Sequence, residues 1–180
     1  MTHQRDKLLN LIVYFVQNTE KCYKTKLFKL LHHSDFEHFR QTGRPLVGLR
    51  YVTWKNGPVP QELWDEIKAP KPDMIEYVRI QGQDEKLRFF PKKKFDKKYF
   101  SEREIKIIER IAIIYKDADA DQMIESTHLR NSPWDTTKRK NGMGAEIDYG
   151  LAFDDSPDTI SPEVFKEREE NAKVFHKLFG

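Results

Sequence analysis

Between Leu8 and Val16 seven of nine positions are large and apolar: Leu8, Leu9, Leu11, Ile12, Val13, Phe15 and Val16. They cover more than one helical stripe, so a helix over Lys7 to Val16 has to be surrounded on most of its circumference. The run is far short of the roughly 20 apolar residues that cross a bilayer, so the surround is expected to be protein. With 180 residues, the chain fits one domain, which at this size buries about 70% of its unfolded surface. The apolar fraction is a lean 38%, yet twelve Phe, seven Tyr and three Trp provide large side chains for that core.

The remaining pattern reads as mainly helical α+β, a single domain over residues 1–180 with about six helices and a small antiparallel hairpin. A second amphipathic helix spans Thr25 to Gln41, with Leu27, Phe28, Leu30, Leu31, Phe36 and Phe39 at spacings of three and four, and stops at Gly43. Leu49 to Trp54 has the β-branched and aromatic content of a short strand that ends at Asn56-Gly57-Pro58. Pro60 suits the first turn of a short helix through Leu63, Trp64 and Ile67.

Met74 to Ile80 and Lys86 to Phe90 read as a hairpin across the polar segment 81–85. Capping-box pairs, Ser101 with Glu104 and Asp119 with Gln122, open two further helices, and Pro133 ends the second of them. The last helix begins at Ser161-Pro162. From Asp135 to Thr159 the chain is polar and glycine-containing, a loop long enough to be either functional or partly mobile.

Several function classes lose support on composition. Cys22 is the sole cysteine, so neither an intramolecular disulfide nor a Cys-based zinc site can form, and a reducing, cytoplasmic setting is expected. The segment Met1-Thr2-His3-Gln4-Arg5-Asp6 lacks the pattern of a secretory signal, and neither a membrane nor a cofactor is expected. A net charge of +3 does not indicate nucleic acid without a clustered basic face.

His32, His33, Asp35, Glu37 and His38 crowd one helix, but they match no metal-ligand spacing, and no nucleophile motif or phosphate loop accompanies them. No catalytic residue and no metal ligand is therefore assigned. Lys92, Lys93, Lys94, Lys97 and Lys98 interleave with Phe95, Tyr99 and Phe100, which suits either a single-stranded nucleic-acid surface or a charged guard at a sheet edge. Lys138-Arg139-Lys140 is a second basic cluster.

Arg50, Tyr51, Trp54, Lys55, Asn56 and Pro58, with Trp134, form the best candidate partner-binding set. They combine planar donors and aromatics with a rigid turn. Tryptophan is also a frequent core residue, so a packed corner is the competing reading.

Lys26-Leu27-Phe28-Lys29-Leu30-Leu31, Asp35-Phe36, Gly43-Arg44-Pro45-Leu46, Tyr51, Trp54-Lys55-Asn56-Gly57-Pro58-Val59 and Leu63-Trp64-Asp65-Glu66, followed by Ser126-Thr127-His128 and Ser132-Pro133-Trp134, occur in an order that resembles the Panacea, or SocA-like, domain over about residues 7–134. The resemblance implies the antitoxin half of a bacterial, archaeal or phage toxin-antitoxin pair. Such a protein is not an enzyme and neutralises a cognate toxin, encoded by the adjacent gene, by direct binding. It also implies one alternative, a proteolytic adaptor that delivers the toxin to a protease, while the Lys92 to Lys98 cluster motivates another, a DNA-binding regulator of its own operon. His32-His33-Ser34 departs from the more apolar run of the relatives, which bears on local packing.

Overall fold

The structure is a computed structural model and describes residues 3–179. Helix α1 (His3–Asn18) has every residue from Lys7 to Phe15 buried, as its all-round apolar pattern demands. It is enclosed by α2 (Lys24–Thr42), α4 (Pro72–Tyr77), α5 (Glu102–Ile114) and strand β4 (Arg88–Pro91). Helix α2 ends where the sequence indicates. Gly43 takes φ +73° and returns its N–H to the carbonyl of Phe39 at 2.7 Å. A Cβ at Gly43 would also sit 2.7 Å from the Phe165 ring.

A buried lysine on α2 and ion pairs from α1 bind the fold together. Lys26 Nζ donates to the carbonyls of Glu20, Lys116 and Ala118, each at 2.8 Å, supplying partners to acceptors beyond the ends of α1 and α5. Lys7 pairs with Glu104 across α1 and α5, and close to it at the N-terminal end of α1 Arg5 pairs with Glu66 and Asp73.

The strand expected before Asn56 forms over Tyr51–Trp54 (β1) and pairs antiparallel with Gly57–Pro60 (β2), Trp54 facing Gly57. Only Lys55 and Asn56 make the turn. Pro58 lies within β2, and its missing N–H is tolerated in a two-stranded ladder. Pro60 stands at the N-cap of α3 (Gln61–Glu66), just outside the helix.

The expected strand at Met74 to Ile80 is corrected. Met74 to Tyr77 belong to α4, and the strand β3 is Val78–Gln81, paired with β4. Pro72 occupies the first helical turn, where its lack of an N–H has no cost, and this outweighs the alternation of apolar residues behind it.

Both capping boxes are formed, opening α5 and α6 (Ala120–Thr127). The segment expected as a loop from Asp135 is largely built. Helix α7 (Pro133–Asn141) starts from Ser132, whose hydroxyl accepts from Asp135 N, and its last turn carries Lys138, Arg139 and Lys140. Glu146 then bridges to Val52, Ile147 is buried, and a 3₁₀ turn covers Tyr149–Ala152. Helix α8 (Pro162–Phe179) leaves from there, its Phe165 against Phe39 and Phe153. The result is mainly helical α+β, with eight α-helices and two small antiparallel sheets among the described residues. No helix of those residues is long and apolar enough to cross a membrane.

Candidate interaction surface

The motif residues converge on a buried polar centre at the middle of α2. Asp35 is fully buried and accepts from Val47 N at 2.6 Å, Gly48 N at 3.0 Å, Leu49 N at 3.2 Å and the Tyr51 hydroxyl at 2.9 Å. Burial raises the carboxyl's pKa against the pull of these donors. The Tyr149 hydroxyl lies 2.6 Å from the Leu49 carbonyl and 3.2 Å from Asp35, closing the cage from the far end of the chain. Asp35 thus fixes the segment 47–49 that leads into β1.

Six residues earlier on α2, Lys29 is buried and donates to the Pro58 carbonyl at 2.7 Å. Burial pushes its amine down to about 7. Gly57 is needed beside it: φ is +98°, and a Cβ there would lie 2.7 Å from Thr127 Oγ1 and 2.9 Å from Lys29 Cε.

These contacts sort the candidate binding residues. Lys55 and Asn56 are exposed at the hairpin tip, and Arg50 is exposed at its base, donating to Gln61 Oε1 at 2.7 Å. Trp54 is half-buried, edge-on to Trp64 with ring centroids 5.0 Å apart. Tyr51, Pro58 and Trp134 face inward. The Trp134 indole donates to the Trp54 carbonyl at 3.0 Å and stacks on His128 at 3.8 Å, 6° from parallel. Those three residues support the surface and do not line it.

The crowded residues of α2 turn to separate partners. His33 Nε2 is 2.9 Å from Ser126 Oγ, His38 Nδ1 donates to the Arg44 carbonyl at 2.7 Å, and Glu37 holds Arg40 and Arg110. His32 stacks on Phe36 with centroids 4.2 Å apart. Among the described residues its two ring nitrogens and His128 Nε2 are buried without a hydrogen-bond partner, a cost of about 1–3 kcal/mol each. No three His, Cys, Asp or Glu side chains among the described residues are grouped to hold a metal ion.

Sequence reasoning missed a cleft of about 550 Å³ between α2, α5, the segment after α6 and the 3₁₀ turn. Its floor is formed by His32, His33 and Phe36. Ile114, Leu129 and Arg130 stand at its rim. No local period encodes such a site, because its walls come from four separated parts of the chain.

The family model described as "Antitoxin SocA-like, Panacea domain" matches residues 27–135, more than half of the chain. The chain belongs to this family. No curated protein and no solved structure matches it. The Panacea match begins at Leu27, later than the expected Lys7, so the central helix α1 lies outside it, as does Tyr149 on the Asp35 cage. Membership makes an antitoxin role, and therefore a toxin partner in general, the family-level reading.

Within the Panacea span the basic cluster is only partly free. Lys93 Nζ is 3.2 Å from Glu76, Lys98 Nζ is 3.0 Å from Asp96, and Lys92 donates to the Ile75 carbonyl at 2.5 Å. Lys94 and Lys97 are exposed. Phe95 packs on Tyr14 at 4.8 Å and on Phe100 at 5.4 Å, so both phenylalanines are committed to the core side of the loop.

Proposed function

We propose that this chain neutralises a cognate toxin in the cytoplasm by binding it directly, through the exposed residues of the β1–β2 hairpin. Family membership supports the antitoxin role. The observation that carries the binding mode is the fixed hairpin: Trp134 holds Trp54, Lys29 holds Pro58, and Lys55 and Asn56 are left projecting between them. A loop held in one conformation loses little entropy when a partner docks, so its few contacts can yield more affinity. Arg50, with its planar donors, and the free edge of Trp54 extend the same surface.

Co-expression with the product of the adjacent reading frame tests this. Relief of growth arrest together with copurification supports direct neutralisation. Relief with falling toxin levels and no stable complex favours the adaptor reading.

A second reading, DNA binding by an autoregulator, rests on exposed Lys94 and Lys97 beside Lys92, Lys93 and Lys98. Phosphate contacts would make its affinity fall steeply with salt, and a flat salt response in a DNA-shift assay removes it.

A further inference from the structure

We infer that the cleft between α2, α5 and the segment after α6 is a second toxin-gripping site, which takes a partner segment carrying an aliphatic or aromatic side chain beside a carboxylate. This inference rests on the direct-binding reading above.

The rim is apolar where a charged surface would be expected. Ile114 and Leu129 are 61% and 65% exposed, and both border the same cleft. Scattered exposed aliphatics need no explanation, but two at one concave mouth over an aromatic floor form a pocket for an apolar side chain. The floor is rigid: His33 stacks on Tyr115, 4.9 Å and 13° from parallel, and His32 stacks on Phe36.

Charge then selects the rest of the ligand. The acids of the wall already have partners. Glu37 holds Arg40 and Arg110, while Asp154 accepts from Thr159 Oγ1 at 2.7 Å and from Ser156 N. Arg130 is exposed at the mouth and, among the described residues, has no ion-pair partner. An unpaired guanidinium beside an apolar pocket is complementary to a carboxylate next to an apolar side chain, in the planar geometry Arg favours. The site lies close to the hairpin, since Thr127 lines the cleft and also abuts Gly57, so one toxin could contact both.

The test uses the full chain and, as probe, the purified product of the adjacent reading frame. Leu129→Asp and Arg130→Glu alter exposed side chains, and Ile75→Asp alters an exposed isoleucine on α4 as a control. Both cleft variants are expected to bind at least roughly tenfold more weakly at unchanged melting temperature, with Ile75→Asp binding as the parent does. The parent's affinity should also fall with salt more than that of Arg130→Glu.

Cleft variants that bind like a parent that still neutralises would overturn the inference and leave the direct-binding reading standing. A parent that binds nothing would remove both. Self-association of the purified chain that Leu129→Asp abolishes would assign the cleft to a second copy and also overturn it.

Discussion

The indole Nε1 of Trp134 donates to the main-chain carbonyl of Trp54 at 3.0 Å, joining residues eighty positions apart. The ring lies flat between His128 and the ammonium of Lys138, which sits 4.6 Å from its centroid. Helix α7 therefore holds the hairpin through one directed bond and one stacked face. Trp134→Phe keeps most of the packing and removes the bond, so urea denaturation should show a loss of about 1–2 kcal/mol. Neutralisation should weaken while the chain remains folded. An unchanged midpoint would mean the bond adds nothing to the hairpin's hold.

Gly57→Ala should be costlier than its size suggests. It combines a positive φ with a Cβ pressed against Thr127 and Lys29. A loss of about 2 kcal/mol or more is expected, because neither the backbone strain nor the steric contact has a cheap escape. A variant as stable as the parent would show that the hairpin can shift away from α2.

Removing the Asp35 carboxylate strands three main-chain N–H groups and the Tyr51 hydroxyl around a buried cavity, while Tyr149 keeps the Leu49 carbonyl. Asp35→Ala should cost about 3 kcal/mol or more and lower the yield of folded protein. Tyr149→Phe, which removes one contact from outside the Panacea match, should cost only about 1 kcal/mol. Chemical denaturation of the two variants checks the ranking, and a reversal would contradict the role given to the cage.

Acid should destabilise the chain through the imidazoles of His32, which is buried, and His33, which is partly so. Burial pushes His33 down to about 4 and His32 well below its usual range. The folded state keeps both rings neutral where the unfolded chain takes up protons, so stability falls as pH drops from 6.5 toward about 4. The same sign holds for Lys29 between 10.5 and about 7. Urea midpoints across pH check this. His33→Gln should flatten the acidic limb, and a parent equally stable at pH 4.5 and 7 would contradict it.

Local signals carried much of the fold. The all-round apolar run of α1, the stop at Gly43 and both capping boxes were legible because each depends on neighbours within a turn or two. Pro133 was a missed signal, because it closes the preceding segment and also opens a helix, and reading only the first effect hides α7; Pro72 opens α4 in the same way. At the site, Lys55 and Asn56 fell where a turn puts them. Tyr51 and Trp134 turned inward because Asp35 and Trp54 supply their polar partners, which are tertiary facts. The cleft was illegible for the same reason.

The most direct test of hairpin-mediated neutralisation is calorimetric titration of the adjacent reading frame's product into the parent chain and into Lys55→Glu/Asn56→Asp. These tip residues are exposed, whereas Trp54 also packs on Trp64, so the pair reports on contact and not on folding. The account predicts saturable binding to the parent and a loss of at least roughly tenfold in the variant at unchanged melting temperature. Equal affinity for both chains, or growth relief by a parent that shows no binding, would contradict it.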